Sequence, residues 1–238
     1  MTVQFIGVGV GPGDPELITL KAARLIQQAD VISFISSESG KSQAKQIASE
    51  VLDETDKQQL MLPIVMPMSE NRNVANRIYD EAAQSIQSQL DLGKTVVFLC
   101  EGDPLFFGSF AYLLERLQQN NSCQVVPGIS SVHAASSALQ LPLVMLQESF
   151  AVVSGRHSED QLIQTLKSHD SVVIMKAGRS RQRILDALES TGRKHEANYL
   201  EYISREQEHI KRDIGDLQGE SGPYFSLFVV TKKERTSQ

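Results

Sequence analysis

The sequence predicts an α/β protein of two domains, a parallel-sheet N-terminal domain followed by a mixed-sheet C-terminal domain. Three observations predict it. Short β-branched runs alternate with longer helical patterns along the chain, as strands and crossover helices do. Three of those runs pass directly into loops of glycine and proline. The texture then changes: Asn198 to Thr231 offers two strand candidates separated by a polar stretch with little room for a full helix, so an antiparallel pair is expected there.

Taken in order, strands are expected at Val3 to Val8, Val31 to Ile35, Thr95 to Cys100, Gln124 to Val126, Phe150 to Val153, Ser171 to Met175, Asn198 to Ile203 and Tyr224 to Thr231. Between the second and third, Val74, Ile78, Ala82, Ile86 and Leu90 recur every four residues, which places them on one stripe of a helix, and Gly93 suits its stop. The expected domains are residues 1–120 and 122–238, with no long linker. Gly-Asp-Pro occurs at Gly13-Asp14-Pro15 and again at Gly102-Asp103-Pro104, but the flanking residues do not make a repeat.

The composition is that of a globular protein, with 41% hydrophobic and 22% charged residues in 238, enough to bury a sizeable core. A formal net charge of -6 argues against nucleic acid as a partner. Cys100 and Cys123 have neither metal-ligand spacing nor a nearby histidine pair, so no metal site and no disulfide framework is expected. The longest apolar runs are strand-sized, well short of the roughly 20 residues that cross a bilayer, and Met1 to Val10 lacks a basic leader. The expectation is a cytoplasmic protein with no membrane partner.

The first strand runs into Gly7-Val8-Gly9-Val10-Gly11-Pro12-Gly13-Asp14-Pro15, and a helix is expected from about Glu16 with Asp14 as N-cap and Pro15 in its first turn. A dinucleotide fingerprint would need its third glycine at Pro12, and proline there removes a backbone donor that a pyrophosphate would use. A neutral or zwitterionic ligand suits the loop better, and a glycine turn with no ligand stays open for this loop alone. Glu101-Gly102-Asp103-Pro104-Leu105-Phe106-Phe107-Gly108 and Pro127-Gly128-Ile129-Ser130-Ser131 follow two further strands. Ligands of open α/β sheets bind beyond the carboxyl ends of the strands, so three such loops point to one shared cleft.

Gly9-x-Gly11-Pro12-Gly13-Asp14-x-x-Leu17-x-Thr19-Leu20, Gly102-Asp103-Pro104 with Gly108, and Val126-Pro127-Gly128-Ile129-Ser130-Ser131 resemble the signature of the tetrapyrrole methylases, over nearly the whole chain. The resemblance implies the two-domain class III methyltransferase fold, a homodimer, and S-adenosyl-L-methionine held between the domains. By position it implies Pro12, Glu101, Gly102, Asp103, Phe106, Ser130 and Ser131 as cofactor contacts, with the strand end at Lys176 and Ala177 added. Within the family, Pro67-Met68-Ser69, Phe98 to Pro104, Met175-Lys176-Ala177-Gly178-Arg179 and Pro223-Tyr224-Phe225-Ser226 resemble most the enzymes that methylate precorrin-2 or cobalt-factor II at C20 in cobalamin biosynthesis. The chain departs from the family twice: Phe107 stands where many relatives carry tyrosine, and Ile35 stands where uroporphyrinogen methyltransferases keep an aspartate.

Methyl transfer from a sulfonium is a direct displacement that needs alignment more than a nucleophile, so the absence of a catalytic triad is no objection. Glu101, Asp103, His133 and Glu148 are the polar groups near the loops in sequence; the catalytic residue is left unassigned among them, and His133 is read as a core histidine. A carboxylate-rich ring needs cations, and Lys176 and Arg179 are chosen because they directly follow a buried strand. Arg156 and His157 follow another, while Arg181 and Arg183 read as a solvated helix start. Other readings are a C11 or C17 precorrin methyltransferase, a diphthine synthase, a nicotinamide-dependent oxidoreductase, and a cofactor-sensing module without turnover.

Overall fold

A computed structural model describes residues 4–67 and 71–232, so Val3 of the first expected strand and Met68 and Ser69 of the Pro67-Met68-Ser69 motif lie outside the described residues. The chain forms two compact units, Met1–Ser130 and Ser131–Gln238.

The first unit carries β1 (Phe5–Gly9), α1 (Leu20–Gln28), β2 (Val31–Ser36), α2 (Gln43–Ile47), α3 (Ser49–Asp53), β3 (Leu60–Val65), α4 (Arg72–Asp91), β4 (Val96–Cys100), α5 (Phe110–Leu117) and β5 (Cys123–Val126). Its sheet runs β3-β2-β4-β1-β5 and every pairing is parallel. Alternate residues serve opposite faces, as the two-residue period of a strand requires. Phe5, Val31, Val96 and Phe98 pack with Tyr79, Ile86, Phe110 and Leu113 of α4 and α5. Ile6, Val8, Ile32 and Leu99 pack with Ala22, Ile26 and Ile47 of α1 and α2 on the other side. The stripe expected on α4 is present: Ala82, Ile86 and Leu90 are buried, Tyr79 joins them, and Gly93 with φ of 77° follows the helix end.

β5 pairs with β1, which brings it into the N-terminal sheet, whereas a division near Asn120 would assign it to the second domain. β3 had no counterpart among the expected strands. It contains Pro63, carries little burial, and sits at the sheet edge, where a strand can lack an amide donor.

The second unit carries α6 (Ser131–Leu139), β6 (Phe150–Ser154), α7 (Glu159–Ser168), β7 (Ser171–Met175), α8 (Arg181–Ser190), β8 (Ala197–Glu201), β9 (His209–Lys211) and β10 (Ser226–Thr231). The sheet is mixed, in the order β6-β7-β10-β8-β9: β6 and β7 are parallel, and β10 is antiparallel to both β7 and β8. The expected antiparallel pair is β8 with β10, and β9 adds a short edge. Val172, Ile174, Tyr199, Phe228 and Val230 pack against Leu162, Leu166, Ile184 and Leu188 of α7 and α8. Arg193 ties the layers by donating to the carbonyls of Leu166, His169 and Asp170 at the end of α7 while paired with Glu196. Among the described residues, no helix is long and apolar enough to cross a membrane.

Candidate functional site

Strand order is what joins the glycine loops. β1 lies between β4 and β5, so the loops that leave these three strands emerge side by side from one edge of the parallel sheet. They touch backbone to backbone. A Cβ placed on Gly128 would stand 2.1 Å from the Gly102 carbonyl oxygen, and one on Gly9 would stand 2.5 Å from the same oxygen and 2.6 Å from the Gly128 Cα. Only glycine permits that approach. Gly11 and Gly102 form an isolated antiparallel bridge, the Gly102 amide donating to the Gly11 carbonyl at 2.7 Å with Gly102 at φ of 64°.

Asp103 locks the second loop to the third. One carboxylate oxygen accepts from the Leu105 amide at 2.9 Å and the other from the Gly128 amide at 3.1 Å. Its backbone carbonyl accepts from Phe106 at 3.3 Å. These bonds brace the two loops against each other. Pro12 is buried beside the Gly11 bridge, Glu101 and Phe106 are half-buried, and Ser130 is buried where the third loop ends. Phe107, next to Phe106 with its ring edge-on at 5.1 Å, has φ of 57° and is exposed.

Several amides of the loops are spent inside the sheet end. Val10 donates to Cys100, Gly11 to Gly102, Gly102 to Gly11 and Gly128 to Asp103, while Pro12 has no N–H to give. The expected helix from Glu16 is instead a single 3-10 turn, Pro15–Leu17, capped by Asp14. α1 begins only at Leu20, with its own cap from Thr19, so no helix N-terminus directly follows the glycine loop. A phosphate cradle needs a run of free amides and a helix dipole; here the Val10 and Gly11 amides are spent, Pro12 has none, and no α-helix begins at the loop. A ligand without a pyrophosphate suits that arrangement better.

Lys176, Ala177 and Arg179 lie in the second unit, with Ser131 at the start of α6. Gly155 donates to the Met175 carbonyl at 2.7 Å and Ala177 donates to the Ser226 carbonyl at 3.1 Å, joining the ends of β6, β7 and β10. Lys176 is half-buried at φ of 56°, Ala177 is fully buried and Arg179 is exposed. Burial, then the charge of nearby Arg156, holds the Lys176 ammonium below the usual lysine range.

Three sequence readings need correction. His133 is exposed on α6, where the chain turns it outward from the buried Val132, Ala134 and Ala135. Arg181 is no solvated helix start: it donates to the Tyr199 hydroxyl at 2.6 Å and to Glu201 at 2.9 Å and lies 4.7 Å over the Tyr199 ring. Arg183 likewise turns inward, to Ser180 at 2.8 Å and the Gly155 carbonyl at 3.3 Å. Glu148 accepts from the Met145 amide and closes its own turn. Ile35 packs on the core beside Ile64, so the departure from the uroporphyrinogen pattern is an apolar contact.

The family model for Tetrapyrrole (Corrin/Porphyrin) Methylases matches residues 4–218. The chain belongs to the tetrapyrrole methylases. Cobalamin biosynthesis protein CobIJ of Mycobacterium tuberculosis is 36% identical over 229 residues, which cover 94% of this chain and 45% of that protein. The chain thus spans about half the length of that relative. The precorrin-2 C(20)-methyltransferase of a Sinorhizobium species is 34% identical over 95% of this chain and 94% of its own. In fold, the chain is similar to the uroporphyrin-III C-methyltransferase of Thermus thermophilus complexed with S-adenyl homocysteine, with a TM-score of 0.69, 23% identity, and coverage of 96% of this chain and 97% of that one.

Proposed function

We propose that this chain transfers a methyl group from S-adenosyl-L-methionine to C20 of precorrin-2, or of cobalt-factor II, giving precorrin-3A or cobalt-factor III in cobalamin biosynthesis. One observation carries the choice of donor: the first glycine loop has spent its Val10 and Gly11 amides, holds proline where a pyrophosphate would need an N–H, and is followed by a 3-10 turn. That chemistry disfavours a nicotinamide dinucleotide. The choice of ring rests on the Sinorhizobium relative, alike over nearly the full length of both chains, and on apolar Ile35 in the place of the uroporphyrinogen aspartate.

When bound, S-adenosyl-L-methionine supplies an electrophilic methyl on sulfur. The chain holds and aligns. The family resemblance supports Pro12, Glu101, Gly102, Asp103, Phe106, Ser130, Ser131, Lys176 and Ala177 as donor contacts, and Asp103 keeps the second and third loops in register. Lys176 and Arg179 take carboxylates of the ring. Orientation of two bound reactants contributes on the order of 7–11 kcal/mol, enough to dispense with a nucleophilic side chain. Of the polar groups near the loops, Asp103 and Glu148 already accept backbone hydrogen bonds, so neither is assigned as a base. The family resemblance further supports a homodimer.

The test is direct. Calorimetry with S-adenosylhomocysteine and, separately, NADPH should give binding for the first alone, and methyl-labelled donor should transfer its label to precorrin-2. NADPH binding at the expense of S-adenosylhomocysteine would overturn the donor, and an unlabelled ring after incubation with bound donor would leave a cofactor-binding module.

A further inference from the structure

The two motifs of the second unit that contribute to this chain's subgroup resemblance, Met175 to Arg179 and Pro223 to Ser226, interlock. Met175 pairs with Leu227, Ala177 donates to the Ser226 carbonyl, and the Gly222 amide donates to the Gly178 carbonyl at 3.0 Å. A Cβ on Gly178 would stand 2.2 Å from the Pro223 carbonyl oxygen, so the two segments are in backbone contact. Glu201 pairs with Ser226 and Ser154 with Met175, which brings the segments after β6, β7 and β8 to the same edge of the sheet as the segment before β10.

That edge gathers aromatic rings among cations. Tyr224 is 50% exposed and stands edge-on to Phe225, with centroids 5.1 Å apart and planes at 85°. Tyr202 packs on the same Phe225 at 6.3 Å, and the Arg205 guanidinium lies 3.9 Å from the Phe225 centroid. Lys176, Arg156 and Arg179 sit at the neighbouring strand ends. The backbone is strained here as well: Lys176, Tyr202 and Ser204 all hold positive φ, at 56°, 50° and 62°. The Tyr202 amide donates to the Phe225 carbonyl at 2.9 Å and the Ser204 amide to Glu208 at 2.7 Å, bonds that fix the bend. Strained non-glycine residues concentrate where a geometry is needed for more than folding.

We infer that Tyr224, seated on Phe225 and flanked by Arg205, is a stacking platform for the face of a conjugated, carboxylate-fringed ring, whose acid groups Lys176 and Arg179 receive. This rests on the proposed tetrapyrrole substrate and extends it to residues that read the ring itself. An aromatic ring left half in water gains most from a flat apolar partner, and a guanidinium stacked on Phe225 offers a second flat cationic surface. Tyr224 thereby becomes a specificity residue for the ring, contributed by the second unit.

Equilibrium titration with uroporphyrin, followed by quenching of its fluorescence, tests this on the full chain. Tyr224→Leu should weaken uroporphyrin binding about tenfold, Tyr224→Phe should restore it to within about twofold, and S-adenosylhomocysteine affinity should be unchanged in both. Arg205→Met should weaken the ring in the same direction. Unaltered uroporphyrin affinity in Tyr224→Leu would overturn the platform, as would parallel loss of both affinities, which would mark a structural role. If the wild type binds uroporphyrin through Tyr224 yet transfers no methyl to precorrin-2, the platform stands and the methyl-transfer reading falls.

Discussion

The strand-end loops of the first unit and those of the second are built from different parts of the chain. In the first, three glycine loops meet main chain to main chain, several of their amides are bonded internally, and the Asp103 carboxylate braces two of them. In the second, side chains dominate: Lys176, Arg179 and Arg205 stand with Tyr202, Tyr224 and Phe225 at one edge. A site made of backbone tolerates no added atoms but is indifferent to charge. A site made of side chains can be retuned residue by residue, which suits a family that methylates many rings with one donor.

The comparison is broken most severely by Gly128→Ala, whose Cβ would meet the Gly102 carbonyl oxygen at 2.1 Å. We expect S-adenosylhomocysteine binding to disappear in calorimetry and stability to fall by about 3 kcal/mol, the upper range for overpacking. Intact binding would show that the loops are not the donor site. Arg181→Met removes a pair whose side chains are only 11% and 20% exposed, and the Tyr199 hydroxyl loses its donor with it. The expected loss in denaturant unfolding is about 2–3 kcal/mol, with ring affinity preserved among the folded molecules.

Asp103→Ala should cost about 1–2 kcal/mol, because two loop amides lose their acceptor, and should weaken S-adenosylhomocysteine about tenfold. A general base would behave otherwise, with turnover falling and donor affinity constant. Arg179→Ala should raise the ring dissociation constant about tenfold and leave the donor constant alone. Equal loss of both would merge the two regions into one.

The smallest effect is a pH dependence. Folding lowers the pKa of Lys176, so at neutral pH its charge costs stability, and stability rises as pH climbs from the lowered value towards the unfolded one. Lys176→Met should therefore raise the melting temperature slightly at neutral pH, with a shrinking advantage in alkali. Wild-type ring affinity should fall over the same alkaline range as the ammonium is lost, and a profile that stays flat through the ordinary lysine range would remove Lys176 from the ring site.

Much of this was legible in the residues. Strand runs such as Val31 to Ile35 and Ser171 to Met175 carried enough branched apolar character to mark themselves, and the α4 stripe announced its buried face. The three loops were readable singly, but their contact depends on β1 lying between β4 and β5, an order fixed by long-range pairing that no local pattern encodes. β3 escaped because Pro63 and exposure disguise an edge strand. His133, Arg181 and Arg183 were misplaced because helix phase and a distant Tyr199–Glu201 partner decide their fate. Tyr202 and Arg205 gave no signal, since only the antiparallel pairing of β8 with β10 brings them to Phe225.

The most direct measurement incubates the protein with methyl-labelled S-adenosyl-L-methionine and precorrin-2 or cobalt-factor II, then locates the new methyl by NMR. The account predicts label on C20 alone; label at any other ring carbon, or none on the ring, would contradict it.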